Sequence, residues 1–308
     1  MDLRYRDDQL AVRDAVREFV RDRIVPRAAD WSEGGAFPMP LLPELAAVGL
    51  TGLTVPTEYG GSGVDALTSA LVSEELGAGD GSIALTLAAH NALCIGHLLT
   101  AATAEQKSRW LPPLAKGTYL GAWALTEPSA GSDAVAAKTT ARQDGDGWVL
   151  DGQKQFITNG SIAGFTVVIA ATADRRLTAF GVSADNPGLR AGKREKKMGL
   201  GASDTAQLSL QDCRVSDADR IGEIGGAFGD VRRVLDRGRI GIGALAVGLG
   251  RAALETAVAY AKERTQFGKA LAEFQMIQWR LAQSRTELDA GRLLIHRAAS
   301  LADAGLPF

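Results

Sequence analysis

The period of the apolar positions changes twice along this chain. Leu10, Val16, Phe19, Val20 and Ile24 recur at helical spacing with charges between them, and Asp7 or Asp8 is placed to cap the helix they predict. Pro26 is expected to stop it. The same pattern returns over residues 41–48, 66–76 and 83–99, broken by the Gly-rich loop 56–63. Thr103, with Gln106 three residues on, reads as a capping box for the next helix. From Tyr119 to about Ile221 the runs become short and β-like: Trp148-Val149-Leu150, Gln155-Phe156-Ile157-Thr158, Thr166-Val167-Val168-Ile169 and Ala206-Gln207-Leu208-Ser209-Leu210. Asp144-Gly145, Asp146-Gly147, Asp151-Gly152 and Asn159-Gly160 are expected to be the turns between them, which suggests a small sandwich or barrel. After Gly229 the helical period returns. Phe274, Ile277, Leu281, Leu288 and Ile295 complete the pattern of two long antiparallel helices, with Gly305 and Pro307 ending the second.

A length of 308 residues suggests about two or three domains. The predicted division is an α+β multidomain fold: a helical domain over 1–118, a β domain over 119–225 and a helical domain over 226–308. Apolar content of 46% and charged content of 23% are those of a globular protein, and a net charge of −2 provides no pull toward nucleic acid or an anionic membrane. The charged start carries no signal-peptide core, and the longest apolar stretch, 240–250, is too short and Gly-rich to span a bilayer. Two cysteines, Cys94 and Cys213, cannot build a disulfide framework, so a reducing cytoplasm is the expected compartment.

The most informative run is Ala124-Leu125-Thr126-Glu127-Pro128-Ser129-Ala130-Gly131-Ser132-Asp133. Thr126 and Ser132 can donate hydrogen bonds, Gly131 permits close approach, and Pro128 stiffens the bend, as a turn closing on a phosphate or a flat heterocycle requires. Gly241, Gly243, Gly248 and Gly250 lie in helical surroundings without a preceding strand, so they read as tight helix packing and not as a dinucleotide fingerprint. His90, Cys94 and His97 share a helix face with Leu87 and Ile83, which favours core over metal. Arg264, near a helix end closed by Gly268, ordinarily caps helix carbonyls and would match a diphosphate bidentately only if one lay nearby. Asp236 with Arg239 reads first as a surface ion pair, with a clamp for a polar ligand as the alternative.

Together these pieces resemble the acyl-CoA dehydrogenase family. The run 126–133 is similar to its flavin signature, Gly152-Gln153-Lys154-Gln155-Phe156-Ile157-Thr158-Asn159-Gly160 to the following hairpin, and Met198-Gly199-Leu200-Gly201-Ala202-Ser203-Asp204-Thr205 to the next motif. Residues 264–269 resemble the helix-end motif, and Asp236-Arg237-Gly238-Arg239-Ile240 is like the short-chain, butyryl-CoA branch. The resemblance implies FAD bound by the backbone of Leu125 and the hydroxyl of Thr126, with Trp123 and Phe156 flanking the ring, Thr158 at the isoalloxazine edge, Ser132 at the diphosphate and Gly131 also in the cofactor site. Phe156 replaces the usual Trp. Arg264, Gln266, Phe267 and Gln275 would contact the adenosine side of FAD in a neighbouring subunit, and Ser132, Asp236 and Arg239 the substrate.

The implied reaction oxidises an acyl-CoA to the trans-2-enoyl-CoA, as in fatty acid β-oxidation, and passes electrons to an electron-transferring flavoprotein. The implied assembly is a homo-oligomer, dimer or tetramer, or a hetero-oligomer with a complete homologue. By the same resemblance the chain is expected to lack the C-terminal part of the family, keeping two long helices of a four-helix bundle and leaving an apolar patch around Trp279, Leu293 and Leu294. It is also expected to lack the catalytic Glu: the position that carries it in one branch is Gly238, Glu255 lies too far along, and Glu127 belongs to the flavin motif. The rival expectations are a non-catalytic flavin-binding or structural subunit and a flavin monooxygenase-like relative.

Overall fold

The computed structural model describes residues 4–172 and 175–308. Helices α1 (Asp7–Phe19), α2 (Ala28–Gly34), α3 (Leu42–Ala47), α4 (Ala66–Gly79), α5 (Gly81–Ala88), α6 (Gly96–Ala101) and α7 (Ala104–Ala115) come first. Strands β1 (Leu120–Ala124), β2 (Thr140–Asp144), β3 (Gly147–Thr158), β4 (Ala163–Ala171), β5 (Leu177–Ser183), β6 (Leu189–Arg194), β7 (Thr205–Ser216) and β8 (Arg220–Ile221) follow. The long helix α8 (Ala227–Glu263), a small hairpin of β9 (Thr265–Gln266) and β10 (Lys269–Ala270), and α9 (Gln275–Asp303) complete the chain. The order helical, β, helical is thus observed. Two compact units result: a sheet unit of residues 30–64 and 85–238, and a helical unit of residues up to 29, 65–84 and 239–308.

In the sheet unit eight strands form one sheet in the order β6-β7-β3-β2-β4-β5-β8, with β1 pairing parallel to β4. β4 and β5 are buried along nearly their whole length, which is why Thr166-Val167-Val168-Ile169 is a continuous run; β7 alternates buried and exposed, which is why 206–210 alternates. One core packs Trp123, Phe165, Val167 and Ile169 against Ile95, Leu98, Trp110 and Leu111 from the helices. The other gathers Ala122, Ala124, Val168, Phe180, Leu150, Leu208 and Leu210 on the opposite side of the strands. Thr103 and Gln106 form the expected capping box at 3.0 and 3.2 Å.

Four local expectations are corrected. The cap of α1 is Arg6, whose N–H donates to Gln9 Oε1 (3.0 Å), while Asp7 and Asp8 occupy the first turn and face the helix dipole. Pro26 does not stop the chain's helical course. A π turn (Val20–Ile24) and a 3-10 turn (Val25–Arg27) place it where no N–H donor is needed, and α2 follows at once. Asp151-Gly152 is not a turn either: β3 runs through it with a bulge between Leu150 and Gly152. Finally, α8 ends at Glu263, ahead of Gly268, because residues 265–270 form the hairpin.

In the helical unit Gly248 and Gly250 of α8 pack as tightly as their helical surroundings predict, whereas a Cβ on Gly241 would meet nothing nearer than Ser73 Oγ at 4.0 Å. A Cβ on Gly248 would lie 2.1 Å from the Glu74 carbonyl oxygen, one on Gly250 would lie 2.6 Å from Leu288 Cδ2, and one on Gly77 would lie 2.4 Å from the Leu245 carbonyl oxygen. The backbones of α4 and α8 therefore approach at van der Waals distance. We expect Gly248→Ala to destabilise the chain by about 1–3 kcal/mol, because the clash is with backbone that cannot move aside; a thermal midpoint equal to that of the parent would refute this. Around the same contact lie Glu74 and Glu75, buried mid-helix carboxylates that periodicity did not flag. Arg292 holds Glu74 at 3.0 Å, and Arg17 and Arg251 hold Glu75 at 2.8 and 2.6 Å. Burial alone would raise the Glu75 carboxyl, but the two guanidiniums outweigh it and hold it below its ordinary value.

Two helical stretches, 81–101 and 227–263, are long and apolar enough by length and composition to cross a bilayer, and the first is mostly buried within protein. The apolar stretch 240–250 is part of the second.

Candidate functional site

β1 delivers Leu125 and Thr126 at its C-terminal end, and the chain then turns tightly. Glu127 and Ala130 exchange both backbone hydrogen bonds, at 2.9 and 3.1 Å, with Pro128 and Ser129 between them. What fixes the turn is a group the sequence reading passed over. Lys154, fully buried on β3, donates from Nζ to Glu127 Oε1 (2.7 Å) and to the Leu125 carbonyl (3.0 Å). Glu127 also accepts the backbone N–H groups of Lys138 (2.5 Å) and Thr139 (3.0 Å), and the Thr126 carbonyl accepts the Gln155 N–H (2.8 Å). Burial would raise the Glu127 carboxyl; Lys154 and the two backbone donors overcome that and hold it below its ordinary value. Burial in turn pushes the Lys154 ammonium down, opposed by Glu127. The available signal was position: Lys154 pairs with Leu208 across β3 and β7, so it shares the core face and needs a buried counter-charge.

With these carbonyls engaged, several donors of the motif remain open. Among the described residues the Thr126 N–H meets no acceptor, and the half-buried hydroxyls of Thr126 and Thr158 and the exposed hydroxyl of Ser132 form no hydrogen bond within the chain. Gly131 has no internal need to be glycine: a Cβ there would meet nothing within 4 Å. Phe156 sits at a bulge between Lys154 and Ile157 with φ +58° and is 61% exposed, a conformation costly for an aromatic residue and without compensation inside the chain. Trp123 is buried, and its indole N–H donates to His97 Nδ1 (3.4 Å). The motif loops are tied together by Asn159, whose side-chain amide donates to the carbonyls of Thr86 and Gly121 (both 3.1 Å), and by Asp204, which accepts the N–H (2.8 Å) and hydroxyl (2.6 Å) of Ser161.

His90, Cys94 and His97 are fully buried, and no cluster of metal-ligating residues occurs among the described residues. His90 has a fixed tautomer: Nε2–H donates to the Thr51 carbonyl and Nδ1 accepts the Gly121 N–H, both at 2.8 Å. Burial holds both His90 and His97 down at about 4.

Asp236 and Arg239 are exposed residues of α8. In the helical unit, Arg264, Gln266 and Phe267 lie on or beside the β9–β10 hairpin, whose turn residues Phe267 and Gly268 both have positive φ, +52° and +78°. Phe267 is 93% exposed, and Gln275, also exposed, opens α9.

Sequence profiles of the acyl-CoA dehydrogenase family match nearly the whole chain: its N-terminal domain over residues 6–118, its middle domain over 122–213 and its C-terminal domain over 228–308. The chain belongs to the acyl-CoA dehydrogenase family. The expectation that it lacks the C-terminal part is thereby corrected, since the C-terminal domain is matched as well. That match falls on α8 and α9, the two long helices that the periodicity predicted. The probable acyl-CoA dehydrogenase YngJ of Bacillus subtilis is 42% identical over 306 residues, covering 98% of this chain and 80% of that protein. The butyryl-CoA dehydrogenase structure from Megasphaera elsdenii superposes with a TM-score of 0.97 at 38% identity, over 100% of this chain and 82% of that one. A glutaryl-CoA dehydrogenase from Mycobacterium smegmatis, solved in complex with FADH2, aligns with a TM-score of 0.94 at 33% identity over 99% and 78% of the two chains.

As a family member the chain is an oxidoreductase of acyl-CoA dehydrogenase type, and its cofactor is FAD. The donors left open at Thr126 and Thr158, the unobstructed Gly131 and the exposed ring of Phe156 fit a flat, hydrogen-bonding heterocycle with a diphosphate tail.

Proposed function

We propose that this chain binds FAD and a short-chain acyl-CoA and orients the thioester for oxidation to the trans-2-enoyl-CoA, without itself supplying the base that removes the α proton. The observation that carries the reading is the set of unpaired donors at Thr126, fixed by the buried Lys154–Glu127 pair beside an exposed aromatic held at positive φ. In this reading the backbone of Leu125 and the hydroxyls of Thr126 and Thr158 hold the isoalloxazine, Trp123 and Phe156 wall it, and Gly131 and Ser132 receive the diphosphate. FAD, when bound, supplies the acceptor for the hydride leaving the β carbon. Ser132, Asp236 and Arg239 bind the CoA thioester, with Arg239 as the cation for its phosphates. Arg264, Gln266, Phe267 and Gln275 serve the adenosine side of a neighbouring subunit's FAD. An aromatic residue left 93% exposed at a forced left-handed turn supports that assignment.

Removing the α proton requires a carboxylate within about 3 Å of it. Gly238 offers no side chain, and Glu127 is occupied by Lys154 and two backbone donors, so we assign the base to neither and place no catalytic Glu in this chain. The protein's contribution is then binding, orientation and water exclusion. The acceptor of the electrons is an electron-transferring flavoprotein, the assembly is a homo-oligomer or one formed with a complete homologue, and the compartment is the reducing cytoplasm, in keeping with two free, buried cysteines. Residues 1–118, 119–225 and 226–308 are the functional divisions.

The test is an anaerobic visible spectrum of the FAD-loaded chain before and after butyryl-CoA. A bound flavin that stays oxidised is expected; bleaching would show that a base is present and overturn that part of the reading. Thr126→Ala should weaken FAD binding about tenfold, the loss of one hydrogen bond of about 1–1.5 kcal/mol. Unchanged affinity by titration calorimetry would remove Thr126 from the site.

A further inference from the structure

The buried Lys154 does more than hold a turn. Its Nζ donates to the carbonyl of Leu125, and that carbonyl belongs to the same peptide unit as the Thr126 N–H, the donor left without an acceptor among the described residues. The chain contains no cis peptide among the described residues, so the two ends of this unit point in opposite directions: the oxygen toward the ammonium and the N–H away from it. A cation hydrogen-bonded to a carbonyl draws electron density through the amide and makes its N–H a stronger donor, and the effect is large where solvent is absent, as it is at Lys154. Glu127 sits on the same ammonium and takes part of that charge, so the pair sets how strongly the peptide is polarised.

We propose that Lys154 is an electrostatic positioning residue for the flavin: through the Leu125–Thr126 peptide it strengthens the Thr126 N–H and so favours the reduced, electron-richer cofactor over the oxidised one. This rests on the assignment of Leu125 and Thr126 to the isoalloxazine. Lys154 touches neither substrate nor cofactor; it acts on the peptide. Glu127 opposes it, and the two residues have effects of opposite sign on the cofactor although they form one structural pair.

The experiment is a dye-equilibrated anaerobic titration with dithionite of the FAD-loaded full chain, comparing the parent with Lys154→Met, Lys154→Arg and Glu127→Gln. Lys154→Met is expected to lose about tenfold in its preference for reduced over oxidised flavin, equivalent to about 30 mV for a two-electron couple. Lys154→Arg, which keeps the charge, should restore the preference to within about twofold of the parent. Glu127→Gln should move it the other way. A purely structural pair would shift both partners' variants in the same direction or leave the potential alone while lowering stability, and either result rejects the inference. If Lys154→Met does not fold, the absence of a rise in Glu127→Gln rejects it equally. Failure of the underlying site assignment looks different: Thr126→Ala then leaves FAD affinity untouched.

Discussion

Lys154→Met should lower the thermal midpoint of the chain by about 10 °C. The ammonium is fully buried, and it is bonded to Glu127 at 2.7 Å and to the Leu125 carbonyl at 3.0 Å. Removing one partner leaves a buried carboxylate without its cation and a carbonyl without its donor, at a cost of about 3–5 kcal/mol for a broken buried pair. For a chain of this size each kcal/mol moves the midpoint by about 2–4 °C. The double variant Lys154→Met with Glu127→Leu is expected to recover part of the loss, because no charge is then stranded. Differential scanning calorimetry of the four proteins decides the matter: additive losses would mean that the two residues are not coupled. FAD retention should follow the same order, since the pair fixes the turn carrying Leu125 and Thr126.

The second large effect is acid lability centred on β1. His90 is neutral in the fold, with Nδ1 taken by the Gly121 N–H and Nε2–H by the Thr51 carbonyl, so protonation must break a hydrogen bond to the strand that carries the flavin motif. Its folded value is about 4 against an ordinary 6.5. Between those values the unfolded chain binds more protons than the folded one, so stability falls as pH drops below about 6.5 and is fully present above it. The loss from this one group reaches about 3 kcal/mol by pH 4. His97, held at about 4 as well, acts with the same sign. His90→Gln can make both hydrogen bonds without titrating, and it should flatten the fall. Urea midpoints at pH 7 and pH 4.5 measure this; an identical pH dependence in parent and variant would assign the acid lability elsewhere.

The sequence alone carried the architecture a long way. A period of 3.6, then 2, then 3.6 is a local property, and it located α4, α7, β3, β4, β7 and α8 together with Gly248, through which α8 meets α4. The ordered motifs around Thr126, Gln153, Met198 and Arg264 carried the family. The sequence misplaced what depends on neighbouring hydrogen bonds, as at Pro26, where π and 3-10 turns absorbed the missing donor, and at Gly152, where a bulge replaced the predicted turn. The two long C-terminal helices were located correctly by their period; what the period could not say is that they carry the match to the family's C-terminal domain.

The site's chemistry was decided by tertiary structure. Lys154 and Glu127 are 27 residues apart, Asn159 and Thr86 73 apart, and His90 and Gly121 31 apart. No periodicity links such positions. They become partners because β3 returns beside β1's end and because a charge or polar group taken out of water must find a counterpart there. Those long-range pairings occupy the carbonyls around Thr126 and leave its N–H and hydroxyl free. A sequence can state that a donor is present; only the folded chain determines that nothing inside the protein has already taken its hydrogen bond.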